Sequence, residues 1–162
     1  MSEVSAKEIA NAQKVIGFLS NIDSVSYKML REDIMEVTCD GFTAIIDAEE
    51  SIICIELTVL DINEVKANTN ILPDFNPADC EQCTFTLLGL YTFFLEENAK
   101  SIHGKFAMTF DGRVVIKENL ETENLDANEF ESALAWVFGM ASSTIEEIEE
   151  IIETKVPEEE VN

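Results

Sequence analysis

The residues best placed to do chemistry are two cysteines three positions apart, Cys80 and Cys83, in the stretch PADCEQCTF. A C-x-x-C pair can serve as a redox dithiol or as half of a zinc site. A dithiol needs one thiolate stabilised by a helix N-terminus and nearby positive charge. Cys80 falls where a helix is expected to begin, which helps, but Asp79 and Glu81 flank it and oppose a thiolate. The run before it carries proline rather than the βαβ context of a thioredoxin-like motif. Zinc needs four ligands. Cys39 and Cys54 lie in strand-like runs, and the single histidine, His103, follows the far end of the helix that starts near Cys80, roughly 30 Å away. The pair therefore reads as two small, buried or half-buried thiols in a first helical turn. A thiol or zinc enzyme ranks third among the readings of the chain.

His103 has no positioned nucleophile or ligand set around it in the sequence, which general acid–base work requires. No phosphate loop, nucleophile elbow, dinucleotide fingerprint, zinc-protease helix or EF-hand loop is present. Carboxylates abound, yet spacing singles out no pair. IEEIEEIIE (145–153) reads as an amphipathic helix with a solvated acidic face. The expectation is a non-enzyme with no catalytic residues, cofactor or metal.

Charge narrows the partners. Among 162 residues there are 33 Asp and Glu against 10 Lys and Arg, a net charge of −23. Such a field repels phosphate backbones and anionic lipid head groups, so direct nucleic-acid binding is not expected and a basic or uncharged protein partner is. No apolar run approaches the ~20 residues that span a bilayer, and the polar start MSEVSAKEIANAQ lacks a signal-peptide core. A cytoplasmic protein with four free thiols is expected.

The elements follow from periodicity. Ser5 with Glu8 forms a capping-box pattern, and Ile9, Ala12, Val15, Ile16 and Leu19 make one helical stripe ending near Asn21. Val25, Tyr27 and Met29 alternate in a short strand. Residues 34–39 and 42–47 flank Asp40-Gly41, a strong hairpin signal because both residues tolerate φ > 0. Residues 51–60 read as a long strand with Ile53, Ile55, Leu57 and Val59 on one face. The run 61–77, DINEVKANTNILPDFNP, is read as an irregular connection. A helix is expected over 78–100, followed by a second hairpin with strands 105–110 and 113–118 about Asp111-Gly112. A last helix opens at Asp126 with Glu129 in the cap pattern and carries Phe130, Leu134, Val137, Ala141, Ile145, Ile148 and Ile152. The result is an α+β fold: an antiparallel sheet of five or six strands flanked by three helices, in the order α-β-β-β-α-β-β-α, as one domain over 1–156 with a disordered acidic tail at 157–162.

The helix over 85–95 is apolar nearly all round. Phe85, Leu88, Tyr91 and Leu95 share one side, and Leu87, Leu90, Phe93 and Phe94 fill the other. Such a helix is either central to a core or part of an interface. Phe85, Leu88, Tyr91, Phe94 and Leu95 are the candidate partner or dimer-interface residues.

From residue 98 onward the chain resembles the YbjN-like proteins, of the type III secretion chaperone-like fold. The matching features are Asn98 at a helix end, Gly104, Lys105-Phe106-Ala107, the Asp111-Gly112 turn, Val114-Val115-Ile116, then Leu125-Asp126 and Glu129-Phe130 opening the last helix. Element order extends the likeness over most of the chain, while 61–83 departs from it. The resemblance implies a small, acidic, cytosolic, often dimeric protein without enzyme activity that holds, regulates or stabilises other proteins. The leading expectation is a non-enzymatic protein-interaction module, chaperone-like or regulatory, and a homodimer. The alternative is an acidic inhibitor or DNA mimic, of phage or immunity type, that binds a basic target.

Overall fold

The structure, a computed structural model, describes residues 4–68 and 81–154. Its elements are α1 (Ala6–Leu19), β1 (Ser26–Met29), β2 (Ile34–Cys39), β3 (Phe42–Ala48), β4 (Ile52–Asp61), α2 (Ile62–Asn68), α3 (Glu81–Lys100), β5 (Lys105–Met108), β6 (Arg113–Glu121) and α4 (Ala127–Glu153). The six strands form one antiparallel sheet in the order β1-β2-β3-β4-β6-β5. This is the expected α+β class with two corrections. The short run at 25–29 forms β1 and adds a fourth strand to the expected order before the middle helices, and 62–68 is a helix rather than part of an irregular connection, which makes four helices instead of three. The expected acidic tail, Cys80 and most of the 61–77 run fall outside the described residues.

Caps set the helix starts. The Ser5 hydroxyl accepts from the Glu8 N–H, and the Glu8 carboxylate accepts from the Ser5 N–H at 2.6 Å, which satisfies two amides with no partner inside the helix. Asp126 accepts from the Glu129 N–H at 2.8 Å and starts α4. Helix α2 begins where Asp61 accepts from the Asn63 N–H at 2.8 Å, and Ile62 and Val65 are buried beneath it. A seven-residue helix is marginal alone. This one is tied to the second hairpin, with Ile62 N–H donating to the Gly112 carbonyl and Asn63 Nδ2 to the Asp111 carbonyl.

The two Asp-Gly pairs make different turns. Asp40 and Gly41 both have positive φ, 49° and 86°, and Cys39 pairs with Phe42, which gives the two-residue type I′ turn that suits strand twist. In the second hairpin only Gly112 is left-handed, at φ 89°. The Gly112 N–H returns to the Thr109 carbonyl, and the Thr109 N–H donates to the Arg113 carbonyl. Phe110, Asp111 and Gly112 therefore form a three-residue loop, and β5 stops at Met108 rather than at residue 110.

Registered pairs carry apolar rows across the sheet. Tyr27, Val37, Ala44, Leu57, Ile116 and Phe106 form one row; Met29, Met35, Ile46, Ile55 and Glu118 form the next. Directly paired residues of antiparallel strands share a face, so both rows point the same way. Against that face pack α1, α4 and α3. Phe18 of α1 meets Phe130 of α4 at 5.5 Å between ring centroids, and Phe130 is fully buried. A bulge places Thr58 and Leu60 of β4 against Val115 and Val114 of β6, with Val59 as the extra residue.

Candidate functional site

Helix α3 is held on the sheet by aromatics from one side only. Phe94 lies 4.9 Å from Phe106 of β5, and Phe93 lies 6.2 Å from Phe106 and 5.5 Å from Phe94, measured between ring centroids. These spacings suit favourable ring pairs. Leu90 and Thr86 are fully buried. Gly89 faces α4, where an added Cβ would come within 3.0 Å of Ile151 Cγ2. The residue that weakens the helix by propensity is thus the one that lets two helices approach closely.

The end of α3 is fastened to the edge of the sheet by hydrogen bonds. Asn98 Nδ2 donates to the Phe106 carbonyl and its Oδ1 accepts from the Phe106 N–H. Lys105 Nζ donates to the Asn98 and Ser101 carbonyls at 2.8 and 2.5 Å, a favourable place for a cation among terminal helix carbonyls. β5 is the last strand of the sheet, and such an edge invites strand addition from another chain. At Phe106 both backbone groups are already engaged.

With that side committed, the opposite side of α3 faces solvent. Leu88 is 64% exposed and Leu95 70%, with Phe85 at 38% and Tyr91 at 39%. Thr84 and Thr92 lie exposed beside them, at spacings that put all six on one stripe. From Gln82 to Leu95 the sequence has no charged residue. Met108 of β5 is exposed next to the stripe. Between helix and strand lies a cavity of about 250 Å³ lined by Tyr91, Phe94, Leu95, Phe106, Met108 and Val114 among others. Of the five candidate interface residues, Phe85, Leu88, Tyr91 and Leu95 share this surface. Phe94 is only 7% exposed; it belongs to the chain's own core and meets the surface as a wall of the cavity.

Among the described residues, Cys39, Cys54 and His103 form no cluster. Cys80 lies outside the described residues, and so does the side chain of Cys83. Partial burial, and then the adjacent Asp40 carboxylate, push the Cys39 thiol up from its ordinary pKa. Burial does the same to Cys54. Both shifts favour the unreactive thiol over the thiolate. His103 sits exposed in the turn before β5, its carbonyl accepting from the Ser101 hydroxyl. Among the described residues no three His, Cys, Asp or Glu side chains converge as metal ligands would, and no helix is long and apolar enough to cross a membrane.

No protein family and no curated protein matches the chain. Among solved structures, it is similar to a chain in the crystal structure of the ExsC–ExsE complex. The TM-score is 0.45 and the identity 15%, over 90% of this chain and 96% of that one. At that distance the likeness carries no inference of its own, and the α+β assignment rests on the strand order and helix packing described above.

Proposed function

We propose that the protein is a non-enzymatic interaction module, chaperone-like or regulatory, that self-associates through the exposed stripe of α3 and holds or stabilises a partner protein. The observation that carries this reading is the uncharged stripe itself. Two copies, each bearing −23, repel one another wherever carboxylates meet. The stretch 82–95 lets them touch without bringing any together. Burying an exposed leucine fully is worth about 1.5–3 kcal/mol, and Leu88 and Leu95 are both largely exposed. A two-fold pairing of α3 with its own copy would bury both stripes against each other. Strand addition across β5 fits less well, because Asn98 occupies the backbone of Phe106. The test is the double variant Leu88→Glu/Leu95→Glu, which places four carboxylates in the paired interface. It should be monomeric by light scattering with an unchanged circular dichroism spectrum. Retention of the wild-type mass removes the stripe from the account.

A second reading, an acidic inhibitor or DNA mimic, is favoured by one feature. The last turns of α4 present Glu146, Glu147, Glu149, Glu150 and Glu153 to solvent with no basic residue in the final turn. Negative charge there opposes the helix dipole, so helix stability does not explain it. This reading predicts salt-sensitive binding to a basic enzyme, weakened when those glutamates are changed to glutamine.

A further inference from the structure

Strand β6 breaks its own pattern at one residue. Val114, Ile116 and Leu120 point to the helix-covered face and are buried. Glu118 occupies the fourth position of that alternation, in the row otherwise made of Met29, Met35, Ile46 and Ile55. Glu118 as a whole is half-buried, but its Oε2 is shielded from solvent and has no hydrogen-bond partner among the described residues. Buried carboxylates are normally paired, because an unpaired one costs stability. The nearby cations are committed elsewhere. Lys105 is bound to helix carbonyls, and Lys117, one residue along the strand, points to the other face. Among the described residues the ion pairs are Arg31–Asp33, Lys100–Glu97 and Arg113–Asp111, none of them here.

Glu118 lines a cavity of about 410 Å³ between β6 and the first half of α4, together with Glu121, Glu123, Glu129, His103 and Trp136. The Trp136 ring leans on Gly104, where an added Cβ would overlap the ring and lie 2.9 Å from Glu118 Oε2. An aromatic face, a ring of carboxylates and an inward carboxylate lacking a partner are complementary to one chemistry, a planar cation that can stack and donate hydrogen bonds at once. We propose that this cavity receives an arginine side chain of a basic protein partner, its guanidinium stacked on Trp136 and paired with Glu118. The site shares no residue with the α3 stripe and does not rest on self-association.

Trp136 is the only tryptophan, so its fluorescence reports this cavity alone. Full-length protein is titrated at low salt with a tetra-arginine peptide, a tetra-lysine peptide and spermidine. The arginine peptide should give a saturable change and bind more tightly than the other two. Glu118→Gln, which keeps the side-chain shape, should weaken it about tenfold. Ser132 of α4 also lines the cavity, and Ser132→Phe, which fills it and leaves the carboxylates intact, should weaken binding as well. Glu149→Gln, an equal charge change far along α4, should stay within about twofold of wild type. Three results overturn the proposal: no saturable change, equal weakening by Glu149→Gln, which marks a general field effect, or spermidine binding as tightly as the arginine peptide.

Discussion

Asn98 and Phe106 are joined as two strands would be, the side-chain amide of one meeting both backbone groups of the other at 2.9 and 2.7 Å. One residue at the end of α3 thereby closes part of the sheet edge and fixes the helix over β5. Asn98→Ala leaves the Phe106 N–H and carbonyl without these bonds, which are worth roughly 0.5–1.5 kcal/mol each. Urea unfolding should show a loss of about 1–3 kcal/mol. An unchanged midpoint would mean that the edge is held by the phenylalanine cluster alone.

Gly104 precedes β5 with φ 34°, a region most side chains avoid. A Cβ there would also overlap the Trp136 ring. Gly104→Ala therefore combines backbone strain with overpacking and should destabilise the protein by about 1–3 kcal/mol. The tryptophan emission should shift as the ring is displaced. A variant with wild-type stability and emission would contradict this packing.

Asp33 is 3% exposed, and Arg31 grips both its carboxylate oxygens. Hydrogen bonding by Arg31 holds the Asp33 carboxyl below its ordinary pKa, against burial acting the other way. A carboxylate with a depressed folded pKa contributes stability that is complete above its unfolded value of about 3.9 and fades as pH falls through the folded value. Arg31→Ala should therefore destabilise the protein at pH 7, and the gap to wild type should close below about pH 4. Denaturation of both proteins across that range measures it. A gap independent of pH would assign the loss to packing instead.

Local signals were the most legible part of the sequence. The Ser5/Glu8 and Asp126/Glu129 caps and the Asp40-Gly41 turn need only a few adjacent residues, and each formed as the pattern implies. The second hairpin shows the limit of such signals. The Asp-Gly pair marked a turn there too, but the loop took Phe110 as well, with Thr109 rather than Phe110 closing it. Helix α2 carried a readable start in Asp61-x-x-Glu64. The asparagines and prolines that follow concealed it, and its stability comes from burying Ile62 and Val65 and from bonds to the distant Asp111-Gly112 loop.

The site was legible as a stripe but not as a boundary. Periodicity placed Phe85, Leu88, Tyr91 and Leu95 together, and all four are exposed. Which side of α3 would be buried depends on Phe106 and Ile151, contacts remote in sequence, and they draw Phe94 into the core. The alternation Val114, Ile116, Glu118, Leu120 was open to inspection and marks Glu118 as an inward carboxylate. Its significance emerges only when Trp136 and Gly104 are seen beside it.

Association through the uncharged stripe of α3 is the property on which the proposed role depends. Sedimentation equilibrium of the wild-type protein over a wide concentration range, at moderate salt to screen the net charge, tests it most directly. The expected result is a species of twice the 18.1 kDa chain mass that dissociates when Leu88 and Leu95 carry glutamate. A mass of one chain at every concentration would contradict it.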